Sequence, residues 1–91
     1  MELRWKIMTE LTALKNIGKE LERKLKSVGI TSAEKLVELG SKETFFRLKT
    51  QHSEVCLVHL YAIEGAILGS DFNFLSEQAK KDLKMFNDSL R

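Results

Sequence analysis

No proline occurs anywhere in the chain, and only five of its 91 residues are glycine. Folds built from many short strands need more turn residues than that, and more clusters of Val, Ile and Thr. The scarcity argues against a strand-rich architecture and predicts helices throughout. There is one cysteine, Cys56, so no intrachain disulfide can form, and the composition fits a reducing compartment. Long hydrophobic runs are also missing. The most apolar stretch, Val55–Leu68, is interrupted by His59 and Glu64 and is short for a bilayer. The opening MELRWKIMTE is charged from its second residue, unlike a secretory leader. A cytoplasmic protein is expected, with no membrane contact. Nor does the chain carry a phosphate-cradling glycine loop, a nucleophile elbow or an acid pair in an apolar setting. The expectation is a protein that is not an enzyme, with no cofactor and no small-molecule substrate.

What is present is the make-up of an ordinary soluble chain: 43% hydrophobic and 31% charged residues. Ninety-one residues predict one domain, residues 1–91, with a modest core. The formal net charge of +2 and a pI near 8.8 are compatible with a nucleic-acid partner without requiring one.

Helical periodicity runs through almost the whole chain. Thr9 is placed to cap a first short helix with Leu11 and Leu14 on its apolar face, and Trp5 and Ile7 either extend it or pack as a tail. Asn16 and Gly18 mark a turn, because both tolerate a left-handed backbone. A helix over about Lys19–Val28 follows. Ile17, Leu21, Leu25 and Val28 form its buried stripe, and Glu20–Lys24 and Glu22–Lys26 line the wet face in the favourable order. Gly29 and Ile30 then read as a Schellman exit. Thr31 and Glu34 suggest a capping box for a helix from Ser32 to Leu39. Gly40 would end it, and Ser41 would cap another over Lys42–Lys49. Ser53 is placed to cap a strongly apolar helix over Glu54–Leu68, central to the core or shared with a partner. Gly69 closes it, Phe72 and Phe74 anchor a turn, and Ser76 caps a last helix with Ala79, Leu83, Phe86 and Leu90 inward. The predicted fold class is all-α: five to six short helices around one central apolar helix.

The segments LKNIGKELERKLKSVGITSAEKLVELGS and LVHLYAIEGAILGSDFNFL together resemble the C-terminal domain of the TfoX/Sxy competence regulators. The likeness rests on the order and spacing of Leu14, Asn16, Ile17 and Gly18, of Gly29-Ile30, of Leu36 and Gly40, and of Leu60–Ala66 with Gly69. It covers residues of about 11–75. The resemblance implies a compact all-α domain whose first two helices form a helix-hairpin-helix-like unit. It also implies a non-catalytic role in regulating DNA-uptake genes, which longer relatives perform with an additional N-terminal domain.

In a helix-hairpin-helix unit, backbone amides at the turn hold a phosphate, helped by the helix dipole. Here the amides would be those of Ile17, Gly18 and Lys19, with Lys15, Lys19 and Arg23 supplying charge. The candidate nucleic-acid site is therefore Lys15, Asn16, Ile17, Gly18, Lys19 and Arg23. The usual first glycine is replaced by Asn16, and Glu20 and Glu22 dilute the positive face. The competing reading is a tight turn that only docks helices.

Other constellations read more simply. His52, Cys56 and His59 share a spacing but fall short of a four-ligand zinc site, and Cys56 reads as a small core hydrophobe. Glu64 is expected to be satisfied by backbone amides or by a Lys or Arg of a neighbouring helix. Lys80, Lys81, Lys84 and Arg91 read as a solvated face. Two partner classes stand: DNA, contacted through its backbone, or a regulatory protein or second copy. The latter would meet Glu54–Leu68 or exposed Trp5, Phe45 and Phe72.

Overall fold

The computed structural model describes residues 9–90; the expectations for Trp5, Ile7 and Arg91 lie outside them. The described residues form four α-helices and two 3₁₀ turns, with no strand. The helices are α1 (Lys19–Ser27), α2 (Ala33–Gln51), α3 (Leu57–Leu68) and α4 (Glu77–Ser89), and the 3₁₀ turns are Leu11–Ala13 and Phe72–Phe74.

The short first helix does not form. Leu11–Ala13 is a single 3₁₀ turn, and Glu10 stands at its N-cap without a side-chain bond. The turn at Asn16 follows too soon for a helix to repay its nucleation cost. Thr9 does a different job: its amide and hydroxyl both donate to the Glu34 carboxylate, at 3.0 and 2.8 Å. That bond also removes Glu34 from the expected capping box. Ser32 is the N-cap of α2 instead, its hydroxyl accepting from the Lys35 amide at 3.2 Å.

The exit of α1 is as expected. Gly29 takes φ 87°, Ile30 N–H donates to Leu25 O at 3.0 Å, and Gly29 N–H donates to Lys26 O at 3.1 Å. This is the paired bonding of a Schellman motif, and it buries Ile30 completely.

The two helices expected on either side of Gly40 form one run, Ala33–Gln51, broken only at Gly40 with φ 83° and ψ 165°. Ser41 does not cap the second half. Its buried hydroxyl donates to Glu64 Oε1 at 2.7 Å, so the bend is pinned to α3. Glu64 thus finds a serine rather than a lysine, arginine or backbone amide.

Helix α3 starts three residues later than the pattern suggested, and its N-cap is Cys56 rather than Ser53. The His59 amide donates to Cys56 Sγ while His59 Nδ1 accepts from the Cys56 amide at 3.0 Å. Cys56 is consequently exposed, not a core hydrophobe. Leu60, Ala62, Ile63, Gly65 and Ala66 of α3 are buried, and the helix packs against α2, α4 and the second 3₁₀ turn, which makes it the centre of the fold. The core around it includes Leu11, Leu25, Ile30, Leu36, Phe45, Leu48 and Val55, all fully enclosed. Burial of each large aliphatic side chain stabilises the fold by about 1.5–3 kcal/mol. Phe45 therefore cannot serve as an exposed contact. Helix α4 is capped by Ser76, which accepts from the Ala79 amide at 3.0 Å, and buries Leu83. Among the described residues no helix is long and apolar enough to cross a membrane.

Candidate functional site

The turn before α1 is built on Asn16. It is the one non-glycine residue with positive φ, 73°, among the described residues. Asn tolerates this region better than most residues because its short polar side chain can bond locally. Here the bonds are distant. Asn16 Nδ2 donates to Ala62 O at 3.2 Å and to Ser70 O at 3.0 Å, and Oδ1 accepts from the Phe72 amide at 3.4 Å. One side chain ties the turn to the last turns of α3 and to the loop beyond it. Gly65 makes room for this: a Cβ there would lie 2.6 Å from Asn16 Nδ2 and 2.7 Å from Ser70 O.

Ile17 is buried beneath the turn and Gly18 follows as N-cap of α1. Gly18 has an extended backbone, φ −94°, so the left-handed residue of the turn is Asn16 alone. Gly18 has no side chain with which to cap, so among the described residues the first amides of α1 have no side-chain cap, and the first helical bond is Glu22 N–H to Gly18 O at 2.9 Å. These amides carry the positive end of the helix dipole.

The structure divides the six candidate residues. Lys15, Gly18 and Lys19 are exposed around the open helix end, and neither lysine has a carboxylate partner among the described residues. Asn16 and Ile17 turn inward and serve as supports. Arg23 is committed elsewhere. Its guanidinium bonds the Glu20 carboxylate, which holds Glu20 below the usual carboxylate range and raises Arg23. Glu20 also lies 3.8 Å from Lys24, whose ammonium reaches Glu54 at 3.0 Å, and Glu22 pairs with Lys26 at 3.5 Å. The acidic residues of α1 are thus neutralised along the helix, and among the described residues the charge left unpaired at the turn is that of Lys15 and Lys19.

Beside the open end lies a groove of about 410 Å³. Its lining includes Asn16, Gly18 and Lys19 of the turn and the apolar Leu21, Val58, Ala62 and Phe72. Val58 is 54% exposed. His59 also lines it. Burial first, and the charge of Lys24 second, push the His59 imidazole below its ordinary value. With Nδ1 accepting from the Cys56 amide, its neutral form carries the proton on Nε2, a tautomer assigned from that bond. The groove escaped the sequence reading because its walls come from segments some forty residues apart. The signals that mark it are an asparagine where a left-handed residue is needed and a glycine inside the apolar helix.

A second cluster has the order of a nucleophilic triad. Ser27 Oγ lies 2.8 Å from His52 Nε2, and His52 Nδ1 lies 3.7 Å from Glu54. The polarity is wrong for attack. The Ser27 hydroxyl donates to Lys24 O at 2.6 Å, so His52 donates to the serine rather than taking its proton. On the basic face of α4, Lys80 lies 4.0 Å from Glu77 and Lys84 3.1 Å from Asp88, while Lys81 is exposed; Asp82 bonds Lys42 of α2 at 2.8 Å.

Comparison with known proteins gives one consistent result. Residues 7–86 match the TfoX C-terminal domain. The chain is 36% identical over 80 residues to Protein Sxy of Escherichia coli (strain K12), a match covering 88% of the chain and 38% of Sxy. The chain therefore spans little over a third of that relative's length. Two crystal structures from Listeria monocytogenes, one triclinic and one tetragonal, also superpose closely. The triclinic form, of a protein described as uncharacterized, gives a TM-score of 0.88 at 44% identity, covering 90% of this chain and 93% of that one. The tetragonal form, described as of unknown function, gives 0.87 at 44% identity, with 90% and 100% coverage.

Proposed function

This chain belongs to the TfoX C-terminal domain family, and from that premise we propose that it is a non-catalytic regulatory module, associated with control of competence, that touches nucleic-acid backbone through the turn Lys15–Lys19. The observation that carries the reading is the open N-terminus of α1. Gly18 leaves its amides uncapped, Lys15 and Lys19 flank them, and Asn16 fixes the turn from behind. Leu11–Ala13 and α1 then act as a shortened helix-hairpin-helix unit, with Asn16 supplying the left-handed backbone that a first glycine would otherwise provide. Such a surface recognises phosphates and not base sequence, and its affinity falls steeply with salt.

The test is a titration of labelled duplex DNA at two salt concentrations, with the wild type and with Lys15→Glu/Lys19→Glu. The reading expects binding at low salt, a shallower salt slope in the double variant, and affinity lower by tenfold or more. Absence of wild-type binding at low salt, or indifference to the two charges, sinks it.

A second reading, attachment to a regulatory protein or to a second copy of the chain, draws on Leu68 and Phe74. They are 61% and 81% exposed at the end of α3 and in the following 3₁₀ turn. A light-scattering mass equal to the monomer removes the second-copy form of that reading.

A further inference from the structure

Resting on the backbone-contact reading above, we infer that the groove beside the turn is a nucleobase slot, so that the preferred ligand is a single strand rather than a duplex. The groove adjoins the open end of α1, since Gly18 and Lys19 are part of its lining. A phosphate held there leaves its neighbouring base within reach of Val58, Ala62 and Phe72. Those walls offer nothing to a second phosphate. They are aliphatic and aromatic, and they suit the flat apolar face that every base carries. In a duplex that face is covered by stacking and pairing, and only phosphate and sugar would meet the turn. An unpaired strand can fill both halves of the site at once.

Charge supports an anionic occupant. Glu20, the one acidic residue lining the groove among the described residues, is held by Arg23 and Lys24, and Lys24 is held in turn by Glu54. Lys19, also in the lining, and Lys15 in the same turn have no such partner among the described residues. His59, with its proton on Nε2, adds a neutral donor in the groove lining for a base edge.

The experiment compares labelled single-stranded DNA, single-stranded RNA and duplex DNA of about 12 nucleotides, all at low salt. It uses the wild type, Phe72→Leu, which keeps apolar bulk but removes the flat ring, and Val58→Gln, which places an amide over the apolar wall. Circular dichroism checks that both variants fold. The expected result is tighter binding of a single strand than of duplex. Loss of base stacking then weakens the single strand at least fivefold in both variants, with duplex affinity unchanged within about twofold. The DNA and RNA arms decide which sugar the slot prefers. A variant-independent check is the Val58 methyl resonance, which a base seated in the groove shifts by its ring current. Equal affinity for single strand and duplex, with no shift at Val58, overturns the slot and leaves the backbone reading standing. No binding of any of the three nucleic acids overturns both.

Discussion

Two turns bracket α1, and they are closed by different means. The exit at Val28–Ile30 uses neighbouring backbone only: Gly29 and Ile30 donate to carbonyls three and five residues back. The entry at Lys15–Gly18 is closed by a side chain whose partners lie 46 to 56 residues away. Both place one residue at positive φ, glycine at the exit and asparagine at the entry. The exit turn is therefore a local device that any helix could carry. The entry turn exists in this form only because α3 and the loop after it are already in place. It also presents the open helix end on which the proposed contact depends, so that end is held in place by bonds to residues 46 to 56 positions away.

This contrast can be broken by mutation. The largest effect is expected at Gly65, which touches the entry turn from α3. In an ordinary helix Gly→Ala is favourable by about 1 kcal/mol. Here the new methyl would strike Asn16 Nδ2 and Ser70 O. Gly65→Ala should lower stability by about 1–3 kcal/mol, the usual cost of overpacking, because contacts of 2.6 and 2.7 Å outweigh the helix-propensity gain. Urea denaturation reads this as a lower midpoint at unchanged slope. An unaltered or raised midpoint would show that the entry turn is not clamped to α3.

The next effect separates the side chain of Asn16 from its backbone. Asn16→Gly keeps the left-handed conformation at no steric cost and deletes the bonds to Ala62, Ser70 and Phe72. A loss of about 1–2 kcal/mol is expected from the partners left unsatisfied. Amide exchange at Phe72 should quicken by more than at Ile30. If Asn16→Gly is as stable as the wild type, the residue is there only for its φ, and the two turns are equivalent.

The smallest effect belongs to the exit turn. A Cβ at Gly29 meets nothing within 4 Å, so Gly29→Ala costs only the left-handed backbone, about 1 kcal/mol. Exchange at the entry turn should not change. A disturbance reaching Phe72 would mean that the turns are coupled through α1.

Much of the fold was legible from the order of residues. The stripe Ile17, Leu21, Leu25, the Gly29–Ile30 exit, the Ser76 cap and the central place of α3 all follow from spacings within one or two turns of helix, and the structure has them. The errors share a cause. Thr9, Ser41 and Ser53 each have the chemistry of a helix cap, and none caps the helix assigned to it. Thr9 and Ser41 spend their hydroxyls on Glu34 and Glu64, carboxylates that lie 25 and 23 residues away. Phe45 follows the same logic, because whether an aromatic residue is inside depends on which face of α2 meets α3.

At the candidate site the division is similar. The residue types of a phosphate-binding turn could be seen, and so could the dilution by glutamates. That Arg23 is occupied by Glu20, and that Lys15 and Lys19 have no carboxylate partner among the described residues, required the paths of the side chains.

By itself the sequence determined the helical class, the helix that forms the centre, and a turn at Asn16–Gly18. Periodicity, propensity and backbone caps act within a few residues and are written in consecutive letters. Only the tertiary structure decided that Asn16 faces inward, that Gly65 must have no side chain, and that Val58 and Phe72 wall a groove beside an uncapped helix end. Those are meetings between distant segments. Their geometry is fixed by how α1, α3 and the loop after α3 pack, a property no single stretch of the chain contains.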